Sequence, residues 1–357
     1  MNGPDRGSVT GRPAPGGARR NPRTTVNVCV VGCGAIAQIV HLPILSHLQG
    51  VRVASICEPD RPKAETLAER LGVPAVFETL DRALEDPSLH AVVICTPNHL
   101  HARQTEEALR AGKHVLCERP LGIGRDEVAR VLATARESGR RLLVAHNHRY
   151  RPDVIAVREA VARGDVGELY HAHAVWRRRR SRRPRPPDWR RDPAKAGGGV
   201  LYDQGIQMLD LGLWVLGYPA PRRLSAHLRR LSGDEIDDVA IVLLELAGGT
   251  TLSVEVMWSL AATEDEQSLQ ALGTRGSLSL SPFRVQKESR DEIVDVTPEL
   301  RPAVENLFTA SYRRELDHFM EVARGDQEVP LPDEQEMLMA IVEACYRSAD
   351  EGREIVL

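Results

Sequence analysis

The sequence predicts an α/β fold whose first half is a doubly wound parallel sheet, and three observations carry that prediction. Short β-branched runs alternate with amphipathic helical patterns from Val26 to His146. Such alternation builds parallel sheets with right-handed crossovers. The first run, Val26–Val31, breaks into Gly32-Cys33-Gly34-Ala35-Ile36-Ala37, a glycine-rich turn that opens a helix. The second run, Val51–Cys57, ends in an acidic residue, Glu58.

Strand, turn, helix, strand and acid in this order give each residue a physical task. Gly32 permits the tight turn, Gly34 lets backbone N–H groups approach a pyrophosphate, and small Ala37 lets helix pack close to strand. The turn at Ala35 and Ile36 then points a helix N-terminus at the phosphate charge. Glu58 stands where a carboxylate binds the ribose hydroxyls of NAD. The glycine motif is weak alone; in this setting it predicts a Rossmann dinucleotide-binding unit. Glu58 would repel a 2′-phosphate and favours NAD, while Arg61 could reach such a phosphate or stack on adenine, which keeps NADP open.

Taken in order, residues 1–24 are rich in Gly, Pro and Arg without periodicity and read as a disordered tail. Helix Arg61–Leu71 follows the second strand, with Ala64, Leu67, Ala68 and Leu71 on one face and Gly72 beyond its end. Strand Ala91–Thr96 closes on Thr96-Pro97-Asn98-His99. Proline cannot continue a central strand, so the chain leaves the sheet there, at the carboxyl edge where open α/β sheets bind ligands. Helix His99–Ala111, strand His114–Glu118, helix Asp126–Ser138 and strand Arg141–His146 complete the unit.

The second half reads as strands Glu168–Trp176, Val239–Leu246, Thr250–Trp258, Leu269–Leu272 and Ser277–Leu280, with Gly-containing hairpins at 247–249 and 273–276. Helix Val200–Leu216 follows three glycines, and helices Tyr312–Arg324 and Asp333–Glu351 close the chain. The expected division is a tail over 1–24, a cofactor domain over 25–146 and a substrate and oligomer domain over 147–357.

Composition narrows the function. A net charge of -3 gives no general bias toward nucleic acid or membrane, and no run has the length and apolarity of a membrane span. The six cysteines fall mainly in predicted strands without metal spacing, which fits a reducing cytoplasm. Within Arg177–Arg191 nine of fifteen residues are Arg. That stretch reads as a solvated, salt-bridged loop, or more sharply as a rim gathering an anionic substrate. Nothing in it interleaves aromatics as a nucleic-acid surface would.

Three blocks together, GCGAIAQIVHLPIL, TPNHLHARQTEEALRAGKHVLCERPL and GGGVLYDQGIQMLD, resemble the glucose–fructose oxidoreductase/inositol dehydrogenase (Gfo/Idh/MocA) family. The resemblance runs from Val26 to Leu357. It implies a C-terminal α/β domain built on a large, open, mostly antiparallel sheet. It also implies NAD or NADP chemistry on the secondary alcohols of sugars and cyclitols, and a homodimer or homotetramer. Thr96, Pro97, Asn98 and Glu118 would then join the glycine turn and Glu58 in holding cofactor, with His41 and Pro43 beside the nicotinamide, or His41 only packing its helix.

Oxidising a secondary alcohol needs a hydride acceptor and a group that takes the hydroxyl proton. Asp203, Gln207 and Asp210 recur at i, i+4 and i+7 of an otherwise apolar helix and are expected on one face. The resemblance places catalytic groups on that face. Yet this chain has Arg119 where the family has Lys, and Gln207 where it has His. A guanidinium stays protonated and a carboxamide does not titrate, so neither transfers a proton. The reading taken is a dehydrogenase or reductase with Arg119, Asp203 and Gln207 in its catalytic site. Asp203 leads as the proton-transfer group, ahead of Tyr202, Lys195 and His148, although a charged Arg119 close to it would make its carboxylate a weaker base. The alternatives are a reductase of an imine or activated carbonyl, with Arg119 clamping an anion, and a cofactor-binding homologue without catalysis. The His146–His148 pair has no Cys or carboxylate in its local pattern, so no metal is expected. Asp237 and Asp238 read as turn residues at the start of a strand. The Arg119–Pro120 bond is expected to be cis, turning Arg119 toward the nicotinamide.

Overall fold

The computed structural model describes residues 25–180, 188–233, 235–300 and 305–357. The expected tail over 1–24 and residues 181–187 of the arginine-rich stretch lie outside them.

Six strands form the first sheet: Val26–Val31 (β1), Val51–Cys57 (β2), Ala75–Phe77 (β3), Ala91–Ile94 (β4), His114–Glu118 (β5) and Leu142–Ala145 (β6). Their order is β3-β2-β1-β4-β5-β6, all parallel. The central strands β1 and β4 are buried almost throughout, which is why they read as continuous apolar runs. Winding reverses between β1 and β4, so a crevice opens beyond their carboxyl ends.

Among the described residues the second sheet has nine strands. They are Leu169–Arg179 (β7), Pro221–Arg229 (β8), Val239–Leu246 (β9), Thr251–Leu260 (β10), Glu266–Gly273 (β11), Gly276–Leu280 (β12), Arg284–Ser289 (β13), Glu292–Asp295 (β14) and Ile355–Val356 (β15). The order is β14-β13-β12-β11-β7-β10-β9-β8-β15, with β7 and β10 parallel and the other neighbours antiparallel. Helices Pro152–Ala162, Ile206–Leu216 and Glu334–Glu351 pack against this sheet. Ile241 and Leu243 of β9, by contrast, are exposed.

Several elements depart from the sequence reading, each for a local reason. β7 runs into the arginine stretch because Arg177 is held by Glu255 and Glu266, and Arg179 by Asp265, from the neighbouring strands and their connection. The helix expected from Tyr312 begins at Leu307, where the Asn306 side chain accepts from the Thr309 amide at 2.9 Å. This helix does not cover the second sheet. Its Tyr312, Leu316, Phe319 and Met320 pack into the core with Val28 and Val30 of β1. The helix expected over Val200–Leu216 is two pieces, a π-helical turn Leu201–Gly205 and an α-helix Ile206–Leu216. Among the described residues no helix is long and apolar enough to cross a membrane.

Candidate functional site

A cavity of about 1060 Å³ occupies the crevice at the carboxyl edge of the first sheet. The glycine turn forms one wall. Gly32 has φ +86°, and a Cβ there would meet the Cys95 carbonyl at 2.9 Å, so the turn requires glycine. At Gly34, among the described residues, nothing lies within 4 Å of where a Cβ would stand, and the residue faces the cavity. This bare backbone is the room a pyrophosphate needs, and Ala35 and Ile36 line the same wall. The π-helical turn Ala37–His41 and helix Leu42–Leu45 follow.

Glu58 follows β2 directly and lines the cavity. Its Oε2 accepts from the Cys33 amide at 2.7 Å and from Lys63 Nζ at 3.1 Å. Lys63 was not singled out in the sequence, although it sits five residues beyond Glu58 at the start of a helix. Arg61 pairs instead with Glu65 and Glu78 and does not line the cavity. The residues present therefore fit a dinucleotide: open backbone for the phosphates, and a carboxylate for the ribose.

The other half of the cavity lies beyond β4 and β5, where the nicotinamide end of such a cofactor belongs. Thr96, Pro97 and Asn98 line it. Asn98 Nδ2 donates to the Ala196 carbonyl at 2.9 Å, tying the sheet edge to the glycine loop at 197–199. The two ring nitrogens of His101 lie 2.7 Å from the carbonyl oxygens of Pro120 and Thr96, so His101 braces two cavity loops. Burial lowers its pKa. Glu118 lines the cavity, and its Oε1 is 2.6 Å from Nε2 of His41, which is fully buried. That pairing was not legible in sequence, because seventy-seven residues separate the partners.

The Arg119–Pro120 peptide is cis, and Arg119 faces the cavity. Arg119 Nη1 donates to the Asp203 main-chain oxygen at 3.0 Å and to its carboxylate Oδ1 at 3.3 Å. Asp203 also lines the cavity. The expected common face of Asp203, Gln207 and Asp210 does not survive, because the π turn inserts extra residue length and rotates Asp203 out of α-helical phase. Gln207 is buried and is not among the residues lining the cavity; its Nε2 donates to the Asp203 main-chain oxygen at 3.3 Å.

Asp237 is more than a turn residue. Its two carboxylate oxygens accept from the amides of Gly199 and Leu201 at 2.8 and 2.9 Å, and from Tyr346 Oη at 2.6 Å. A Cβ on Gly199 would come within 1.9 Å of the Asp237 carbonyl oxygen, so the loop leading to Asp203 is held against this residue. Asp238 accepts from the Leu231 and Ser232 amides.

Asp210 points into the core. Arg149 grips both its oxygens, Nε at 2.8 Å, and Tyr218 Oη and His148 Nε2 complete the cluster, the latter at 3.0 Å. His146, His148 and Asp210 have ligand atoms within 4.8 Å of one another, so a carboxylate does join the two histidines, contrary to the sequence expectation. The Arg149 guanidinium already supplies the positive charge on that carboxylate. The remaining proton-transfer candidates are engaged elsewhere. Tyr202 Oη donates to the Ile123 carbonyl at 2.8 Å, and Lys195 pairs with Asp192.

Comparison with known proteins agrees with this architecture. A model described as an oxidoreductase family with an NAD-binding Rossmann fold, GFO_IDH_MocA, matches residues 26–146. A second, the GFO/IDH/MocA C-terminal domain, matches residues 154–279. D-glucoside 3-dehydrogenase of Escherichia coli is 27% identical over 93% of this chain and 97% of its own length. Inositol 2-dehydrogenase of Rhizobium meliloti is 27% identical over 93% and 99%. The crystal structure of GenD2 from gentamicin A biosynthesis, in complex with NAD, superposes with a TM-score of 0.82 at 27% identity, covering 98% of this chain and 99% of that one.

Proposed function

The chain belongs to the GFO/IDH/MocA family of oxidoreductases, and from that premise we propose that it oxidises a secondary alcohol of a sugar or cyclitol with NAD. The observation that carries this reading is the meeting of Arg119 and Asp203 in the nicotinamide half of the cavity. NAD, when bound, supplies the ring that accepts the hydride. Asp203 takes the hydroxyl proton through its carboxylate, while Arg119 holds the substrate oxygen and keeps its own charge. Gln207 acts from behind, bracing the Asp203 turn rather than touching substrate.

Residues 25–146 hold the cofactor and 147–357 the substrate and subunit contacts in this reading. NAD is favoured over NADP because Glu58 stands at the ribose position. A neutral polyol suits the site better than an anion: Arg177, Arg179 and Arg190 are already paired with carboxylates. The six cysteines are free and buried, which supports work in a reducing cytoplasm. Exposed Ile241 and Leu243 on β9 support a homodimer or homotetramer.

The test is to incubate the protein and NAD with a panel of pyranosides and cyclitols and follow reduced nicotinamide by absorbance. NADH formed in step with a ketone product is expected from at least one member. Reduction of NAD by none of them, with NAD binding intact, would sink the proposal.

A further inference from the structure

Glu118 lines the cavity next to Arg119. Its carboxylate ends β5 on the nicotinamide side of the cavity, with Oε1 fixed at 2.6 Å by a histidine that has no exposure at all. Nδ1 of His41 has no hydrogen-bond partner among the described residues, so the ring is committed to Glu118. Tyr312 meets the same ring edge-on, at 5.7 Å between centroids. We propose that Glu118 sets which redox form of the nicotinamide the protein prefers, its carboxylate favouring the cationic oxidised ring and the neighbouring Arg119 opposing it.

The charges around Glu118 support this assignment. Burial acts against its ionisation, but the His41 hydrogen bond and charge, then the Arg119 charge, outweigh it and hold the carboxyl below its ordinary value. Glu315, on helix Leu307–Arg324 behind the same wall, is fully buried, and among the described residues no side chain is bonded to its carboxylate. Burial first, and Glu118 second, raise its pKa well above the ordinary value, which disfavours a second negative charge there. His101 is pushed toward its neutral form by burial. The nicotinamide end of the cavity thus carries Glu118, paired with His41, and Asp203, with Arg119 opposing them. In a cavity walled by protein, a fixed carboxylate discriminates between a cationic and a neutral ring far more than it would in water. The inference rests on the cofactor site alone and requires no substrate.

Calorimetric titration of NAD+ and NADH, without substrate, tests it. In Glu118→Gln the NAD+ affinity should fall relative to that for NADH by about tenfold or more. Arg119→Met should move the ratio the other way, toward NAD+, and it keeps the test decisive if Glu118→Gln does not fold. Equal loss of both redox forms in Glu118→Gln would mark Glu118 as a structural contact and overturn the proposal. An unchanged ratio in Arg119→Met would overturn it as well. Absence of activity on sugars would leave these titrations unaffected, so failure here is distinct from failure of the dehydrogenase reading.

Discussion

Asp210→Ala is expected to destabilise the protein by about 3–5 kcal/mol, the range for breaking a buried ion pair from one side. Asp210 is fully buried and satisfies Arg149, His148 and Tyr218 together. Its removal strands a guanidinium whose other carboxylate partner is Glu334, at 2.9 Å. For a chain of 357 residues the loss corresponds to a melting point lower by roughly 4–7 °C. The charge itself contributes. Burial works against it, but Arg149 and the histidines outweigh that and hold the Asp210 carboxyl well below its ordinary value of 3.8. Its contribution is therefore fully present above that value and is lost as pH falls through the lower folded-state value. The gap between wild type and Asp210→Asn should accordingly be constant near neutrality and close only in strong acid. A neutral-pH loss below about 1 kcal/mol in chemical denaturation would show that Arg149 finds water instead.

Asp203→Asn should lower turnover by roughly 10²-fold or more, the usual worth of a general base. The substitution keeps the shape of the side chain, and Arg119 retains its 3.0 Å bond to the main-chain oxygen of residue 203. NAD affinity should therefore change little, and the effect should appear in kcat and in kcat/KM alike. Steady-state kinetics with the substrate found in the panel would check this. A loss smaller than tenfold would assign the proton to another cavity group.

Much of this architecture was legible because it is local. The glycine turn, the acid after β2 and the proline that ends the run at Ile94 each follow from chain geometry over a few residues. The short strands β3, β13 and β14, at or next to sheet edges, were missed, since three- to six-residue strands of mixed polarity carry little periodicity. The polar stripe Asp203, Gln207, Asp210 was visible but wrongly phased. An α-helical count cannot anticipate a π turn, and that turn separates a cavity carboxylate from a core one. Partners far apart in sequence were out of reach: His41 with Glu118, Asp237 with Gly199, and Asp210 with Arg149. In each case burial of an ionisable group forces a partner without saying which one. Arg119, conversely, was conspicuous as a departure before its contact with Asp203 was known.

The central claim is that a cavity lined by Arg119 and Asp203, with Gln207 bracing Asp203 from behind, is itself a working dehydrogenase site. Its most direct test is NADH formation on the same panel by the parent protein and by the double variant Arg119→Lys with Gln207→His, side by side. The account predicts that the parent reduces NAD with at least one sugar or cyclitol. Activity confined to the double variant would contradict it, showing that the parent site has left alcohol oxidation.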